Sequence, residues 1–342
     1  MHASLVSILR CPSCQASHMR VDVFAHDRGD EIAQGVLLCS RCESWFPIDQ
    51  YVLELLPPAL TYWEDRQRFW KRYQSRMKGL LLSPRKEANA PVTPQRLQQQ
   101  YFDWYAHNEK QQYTKYAQSP FWQATDTLVF GQWKKAIRPR MRLLDVGCAQ
   151  GRSAFWLADL PVTIAAFDIS KSMIAQAVVR YRSGNYRASM SFIVADATQF
   201  PFVSRSFDVV LLYGVLHHLA DPAGACREIV RVLRSGGTYF GLENHASPLR
   251  LVFDFLQRFI PIWYEKAGTK PIMTEGDFHR WFGGTDMNIS LGTRTFLPPH
   301  LINLLTLSVA RLLVGATDAW GSAHAMSAKL GGLLVIEGHR EK

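Results

Sequence analysis

Three carboxylates stand at matching places along the middle of the chain. Asp145 lies in the apolar run 143–146, Asp168 closes the run 163–168, and Asp196 follows the run 192–195. Each run is short and rich in Leu, Ile, Val, Phe and Ala, the pattern of a strand buried on both faces of a parallel sheet. Gly147, Ala149 and Gly151 come directly after the first run. Such small residues let the backbone come close to a ligand and let the next helix pack on its strand. An acid closing the second strand can hold the two hydroxyls of a ribose. Three acids at one edge of a sheet are a sharper signal than the glycines alone.

A nucleotide site of this kind serves a hydride, a phosphoryl group or a methyl group. A dinucleotide fingerprint needs G-x-G-x-x-G, whereas here G-x-A-x-G runs into Arg152. No G-x-x-x-x-G-K-[ST] lies nearby, so a P-loop is excluded. Asp145 places an anion inside the site, two residues ahead of the first glycine. That suits a ligand with an ammonium and a sulfonium better than it suits a pyrophosphate.

On these residues the chain resembles the class I S-adenosylmethionine-dependent methyltransferases, and within them the type 11 group. The resemblance runs from Tyr101 to the C-terminus. Its landmarks are residues 143–151, Asp168-Ile169-Ser170, Asp196-Ala197, 207–210, 215–219 and 231–237. Alanine stands at 149 where the family usually has glycine, and serine at 235 where it usually has proline. Alanine is small, so neither change is expected to abolish binding. The resemblance implies an α/β fold, a doubly wound seven-stranded Rossmann-like methyltransferase sheet, with S-adenosylmethionine as the cofactor. It also implies roles: Gly147 and Gly151 for backbone approach, Asp145 near the amino-acid end, Asp168 on the ribose hydroxyls and Asp196 for the adenine amino group. Cys148, Ile169, Ala197 and Tyr213 complete the expected cofactor-binding set.

Methyl transfer is an in-line displacement on an activated sulfonium, so positioning the nucleophile does most of the work. An oxygen or nitrogen acceptor must also lose a proton, and a histidine suits that role near pH 7. His217 and His218 follow the fourth strand-like run of this region and are the candidate catalytic bases, although a histidine is common here in type 11 sequences without any base role. Tyr213, Glu243 and His245 are weaker candidates. No Asn/Asp-Pro-Pro-Tyr motif and no cysteine follow that strand, which argues against base N6, glutamine-amide and cytosine C5 methylation.

The N-terminal segment has a different chemistry. Cys11-Pro12-Ser13-Cys14 is answered by Cys39-Ser40-Arg41-Cys42. Two C-x-x-C knuckles can close four thiolates around zinc, and residues 21–24 and 36–38 are expected as strands between them. Disulfides and a redox pair are the alternatives; a location inside the cell disfavours the first, and two copies at ribbon spacing disfavour the second. A four-ligand site is closed, so the expected Zn2+ is structural and stabilises a domain too small for its own core. Residues 8–12 and 45–49 make the segment similar to the small zinc-ribbon proteins that activate certain RNA and protein methyltransferases. Gln50-Tyr51-Val52 departs from their usual Gly-Ile-Pro, which bears on docking more than on the metal. Cys148 and Cys226 read as small buried apolar residues.

The domains expected are a zinc ribbon over 1–56, a basic aromatic helix and flexible linker over 57–100, and the methyltransferase domain over 101–342. Within 61–82, Arg66, Arg68, Lys71, Arg72, Arg76 and Lys78 are interleaved with Trp63, Phe69, Trp70 and Tyr73. This helix reads first as one whose aromatics pack on a neighbouring domain, then as a surface for nucleic acid or an anionic membrane. Tyr101, Phe102, Trp104, Tyr105, Tyr113, Tyr116, Phe121, Trp122, Phe130 and Trp133 crowd the stretch before the first strand, where helices of this family fold over the cofactor; most of these rings must be core. Two apolar insertions, 247–270 and 298–320, leave the sheet at its carboxyl edge and are expected to roof the substrate pocket. They suggest a small-molecule or lipid acceptor and a peripheral membrane contact, with a lid or dimer face as the plainer reading.

The chain has 342 residues, 47% hydrophobic and 20% charged, with a net charge of +10. These values fit a soluble globular protein, and no uncharged apolar run is long enough to span a bilayer. The N-terminus lacks the features of a signal peptide, so a cytoplasmic location is expected, peripheral to the membrane if the apolar insertions touch it. Two other readings stay open: an RNA methyltransferase that grips its substrate through the ribbon and basic helix, and a scaffold with a protein partner or dimer through the ribbon.

Overall fold

A computed structural model describes residues 1–27, 29–83, 92–108, 117–260, 272–323 and 329–342. The cysteine-bearing segment forms β1 (Met19–His26), β2 (Ile32–Cys39), β3 (Trp45–Asp49) and β4 (Val52–Glu54). Helices α1 (Trp63–Arg72), α2 (Gln74–Gly79), α3 (Pro94–Asn108) and α4 (Pro120–Lys134) follow. Strand and helix then alternate: β5 (Arg142–Val146), α5 (Arg152–Trp156), β6 (Thr163–Asp168), α6 (Lys171–Ser183), β7 (Ser189–Val194), β8 (Phe207–Tyr213), α7 (Pro222–Val232) and β9 (Leu233–Asn244). The chain ends with α8 (Pro248–Phe259), α9 (Glu275–Phe282), β10 (Met287–Arg294), α10 (Pro299–Ile302), α11 (Leu307–Ala323) and β11 (Leu333–Arg340).

All eleven strands belong to one sheet, in the order β1-β2-β3-β4-β7-β6-β5-β8-β9-β11-β10. From β7 to β9 the strands are parallel, and β11 and β10 close that end antiparallel. Strand order reverses at β5, which lies between β6 and β8. In open α/β sheets the crevice at the carboxyl ends beside such a reversal is where ligands bind. The helix starts are set locally. Ser170 accepts from the Met173 amide at the start of α6, and Asp221 accepts from Gly224 ahead of Pro222 in α7. Thr274 and Asp277 form a reciprocal capping box at α9.

The N-terminal strands are not a separate bead. β4 adds to the sheet in parallel with β7, pairing Leu53 with Ile193 and Glu54 with Val194. Leu9 bridges to Phe202, and the Arg10 amide donates to the Pro201 carbonyl at 2.9 Å. Leu9, Phe46, Leu53 and Leu55 share one buried cluster with Phe167, Ile193, Phe200 and Phe202. The small segment therefore borrows its core from the larger sheet, which offsets the burial that so few residues cannot supply alone.

Two local expectations need correction. Residues from Pro94 onward, read as linker from their Pro and Gln content, are helical in α3. Proline is tolerated at a helix start and glutamine is a good helix former, and Gln98 and Gln99 are buried. The region 61–82 is two helices, broken at Tyr73. The aromatics of this region do pack on the ribbon: Phe69 and Met77 join Val36, Leu38 and Trp45 in one cluster. Of the insertion 247–270, residues 261–270 lie outside the described residues, as do Tyr113 and Tyr116.

Candidate active site and metal centre

Asp145 is the fourth of the five residues of β5, and it points into the buried layer between the sheet and α5. Its Oδ2 accepts from the Ala154 amide at 3.1 Å. Its Oδ1 is buried with no hydrogen-bond partner in place among the described residues, although the nearby Ser153 side chain favours the ionised form. Burial pushes this carboxyl up to about 7, and the neighbouring Asp168 adds to the shift. An orphaned carboxylate oxygen costs desolvation free energy unless something donates to it.

The loop after β5 bends sharply. Gly147 and Gly151 have φ of +63° and +81°. A Cβ on Gly147 would meet Val215 at 2.5 Å, and one on Gly151 would meet Phe155 at 2.7 Å. Ala149 also adopts the left-handed conformation, with φ +47°. That explains a glycine preference at this position: a Cβ there costs about 1–2 kcal/mol. Cys148 is buried beneath the loop, and neither it nor Cys226 is bridged.

Asp168 ends β6 and holds the two loops together. Its Oδ2 accepts from the Ala149 amide and its Oδ1 from the Ser170 amide, both at 2.9 Å. Burial lifts it to about 6, against these hydrogen bonds. Each oxygen keeps a further lone pair for a hydroxyl donor. Ile169 is half-buried beside it. Asp196 sits just past β7, where its two oxygens accept from the amide and hydroxyl of Thr198 at 2.8 and 2.7 Å, and burial raises its pKa. Ala197 is buried next to it. The carboxylates of β5, β6 and β7 thus lie at one sheet edge.

Tyr213 ends β8 on the other side of β5. Its hydroxyl donates to Asp126 Oδ1 at 2.7 Å. Asp126, on α4, is also held by both ends of the Arg152 guanidinium at 2.9 Å. Arg152 lies 4.9 Å from the Trp122 ring centroid and 4.8 Å from that of Tyr213. Sequence reading noted Arg152 only as a departure from a glycine pattern and missed its partner. The available signal was an acid inside the aromatic run of α4.

The two histidines separate. His217 is buried, with Nδ1 2.7 Å from Glu243 Oε2. Glu243 Oε1 accepts from the amides of Val215 and Leu216 at 2.8 and 2.7 Å. This partner assigns the Nδ1–H tautomer, which leaves the lone pair on Nε2. The His218 ring lies tilted against the His217 ring, with centroids 3.9 Å apart, and meets the Phe102 ring edge-on. His245 lies against the Gly331 carbonyl, 2.8 Å from Nδ1.

At the other end of the sheet, the sulfurs of Cys11, Cys14, Cys39 and Cys42 all lie within 4.8 Å of one another. Cys11 and Cys42 are 3.6 Å apart, Cys14 and Cys39 3.5 Å, and all four are free thiols. Thiolates at about 2.3 Å from a tetrahedral ion would be separated by roughly 3.8 Å, so the donor set fits zinc. The basic helices, in contrast, leave Arg68, Lys71, Arg72, Arg76 and Lys78 exposed while several of their cations make local contacts. Arg66 covers Trp45 and bonds its carbonyl, Arg68 pairs with Asp65, Arg72 with Asp49, and Arg76 bonds the Val23 carbonyl.

Residues 144–241 match the family model for a methyltransferase domain. That match spans the strands that carry Asp145, Asp168 and Asp196. Methyltransferase GfsG of Streptomyces halstedii is 36% identical over 97 residues, covering 28% of this chain and 35% of its own length. Demethylmenaquinone methyltransferase of Beutenbergia cavernae is 26% identical over 191 residues, covering 47% of this chain and 76% of its own length. This chain thus spans only about a third of the length of the Streptomyces relative. Phosphoethanolamine N-methyltransferase 2 of Haemonchus contortus has the same fold, with a TM-score of 0.51 at 14% identity, covering 74% of this chain and 61% of its own. Family and fold together support an S-adenosylmethionine-dependent methyltransferase. No helix among the described residues is long and apolar enough to cross a membrane.

Proposed function

We propose that this protein transfers the methyl group of S-adenosylmethionine to a small apolar acceptor. One observation carries the reading: Asp145 Oδ1, a buried carboxylate oxygen without a donor among the described residues, sits at the strand-order reversal beside Gly147. An ammonium group supplies the missing donor and the missing charge. In this reading Gly147, Cys148 and Gly151 line the backbone cradle and Asp168 takes the ribose hydroxyls. Asp196 takes the adenine amino group, with Ile169 and Ala197 flanking the base and Tyr213 closing the amino-acid end. The bound cofactor supplies an electrophilic methyl on sulfur.

The chain's own contribution to chemistry is orientation and proton removal. His217 would accept the acceptor's proton at Nε2, and Glu243 would steady the imidazolium through Nδ1. His218 packs against it and helps fix the ring. The apolar insertions, read as roofing the pocket, favour a lipid-like acceptor. Helices α10 and α11 pack on α4 through Ile302, Ala310 and Val314 against Phe121 and Ala124. The same insertions leave Leu251, Phe259, Leu304, Leu312 and Trp320 exposed. Such a face would also suit contact with a lipid surface.

The four cysteines are proposed to hold a structural zinc ion, with no open position for chemistry. Calorimetry with S-adenosylhomocysteine tests the site: Asp168→Ala must lose affinity, and unchanged affinity refutes the assignment. Labelled cofactor incubated with lipid, small-metabolite and RNA fractions then identifies the acceptor class.

A further inference from the structure

The loop that follows β6 carries Asp168 and Ile169, yet much of what holds it comes from outside the parallel sheet. Tyr62, just before α1, places its hydroxyl 2.6 Å from Asp103 Oδ2, 3.2 Å from the Ile169 carbonyl and 3.1 Å from the Lys171 amide. Asp103, on α3, accepts through Oδ1 from the Ser170 hydroxyl at 2.7 Å and the Ser172 amide at 3.1 Å. Ser170 in turn donates its amide to Asp168. The Lys171 ammonium lies 3.2 Å from Glu54, which is buried on β4, and 2.7 Å from Asp65 on α1. Glu54 Oε1 accepts from the Tyr62 amide at 3.2 Å. Four consecutive residues, 169–172, therefore owe backbone or side-chain bonds to the segment that links the cysteine-bearing strands to the catalytic sheet.

We infer that Tyr62 and Asp103 are positioning residues that set the Asp168–Ser172 loop for cofactor binding, so that the helices connecting the cysteine-bearing strands to the parallel sheet tune cofactor affinity. The inference rests on the reading of Asp168 as a ribose ligand. Physically, a loop held by several buried bonds before binding has less conformational entropy left to lose on binding. Removing the Tyr62 hydroxyl leaves the ring, and hence the packing, while the Ile169 carbonyl and Lys171 amide lose a shared partner. The bonds of Tyr62 and Asp103 go to the loop after β6 rather than to His217. Their loss should act on cofactor affinity and not on the chemical step.

The test uses Tyr62→Phe in the full chain, with Asp103→Asn as the second variant and Tyr73→Phe as the control. The Tyr73 hydroxyl bonds Gln34 in the ribbon and touches no loop residue. Loss of one such bond corresponds to about 10-fold in affinity. Tyr62→Phe should weaken S-adenosylhomocysteine binding about 10-fold by calorimetry. It should also speed amide hydrogen exchange at 169–172 in the protein without cofactor. The KM for S-adenosylmethionine should rise while kcat at saturation holds, and Asp103→Asn should reproduce the pattern. Affinity and exchange within twofold of the parent in both variants, or an equal loss in Tyr73→Phe, overturn the inference. If Asp168→Ala also leaves affinity unchanged, the cofactor site itself is misassigned. If Asp168→Ala abolishes binding and Tyr62→Phe does not, the positioning role alone fails.

Discussion

The two polar centres of this sheet differ in how their donors are satisfied. At the cysteine corner four sulfurs face one another within 4.8 Å and form a closed set. At the acid edge one buried carboxylate oxygen, Asp145 Oδ1, has no hydrogen-bond donor in place among the described residues, with the nearby Ser153 side chain favouring the carboxyl's charged form. A closed donor set is suited to fixing structure, because every ligand is committed. An incomplete one is suited to a ligand that comes and goes, and it costs the free protein stability. The same chain therefore carries one centre that should serve folding and one that should serve function.

The comparison breaks most visibly at the cysteines. Replacing Cys39 with Ser, or stripping metal with a chelator, should remove one bound zinc per chain and unfold the β1–β4 corner. Loss of several kcal/mol is expected, measured as a fall in Tm together with zinc content by elemental analysis. Next in size is His217→Ala. It should lower kcat by about 10²–10⁴-fold with cofactor affinity unchanged, as read from single-turnover rates and calorimetry. A comparable loss of affinity would place His217 in a structural role, with Glu243 merely bracing the 215–218 turn.

Asp145→Asn separates the two centres directly. Its charge-assisted bond to an ammonium predicts a roughly 10–100-fold loss of affinity, while Tm at pH 8 should hold or rise. The sign follows from the titration. The folded Asp145 carboxyl titrates near 7 and its ordinary value is 3.8, so the folded state holds the proton more tightly. Stability of the free protein should fall as pH rises from about 4 to 7. Cofactor affinity should rise over the same window, because the ammonium favours the ionised form. Asp145→Asn should flatten the affinity profile, leaving the smaller contribution of Asp168, whose carboxyl titrates near 6. The smallest effect is expected at Ala149. Glycine there relieves about 1–2 kcal/mol of left-handed strain but adds unfolded-state entropy worth about 0.4–1 kcal/mol. Ala149→Gly should therefore stabilise by about 0.5–1 kcal/mol in urea unfolding.

Much of this was legible without coordinates because it depends on local pattern. A run such as 207–213 is apolar throughout and becomes β8, and Thr274 with Asp277 announces a helix start that forms. The cysteine knuckles and the three acids follow the same logic, since residue type and spacing along a strand or knuckle fix which edge they reach. The α3 helix was harder to read, because proline and glutamine are compatible with both a linker and a helix start. Its helical state is decided by bonds from Arg96 and Gln99 to the Leu60 carbonyl.

Alone, the sequence determined the strand–helix alternation, the acids at strand ends and the paired cysteine knuckles, because each is set by neighbours a few residues apart. Only the tertiary structure decided that β4 adds to β7, that Asp126 holds Arg152, that Glu243 orients His217 and that Tyr62 and Asp103 clamp the loop after β6. Those partners are separated by 26 to 140 residues in the chain. No periodicity encodes such contacts; they arise when the shared core is packed and each buried polar atom must find a partner.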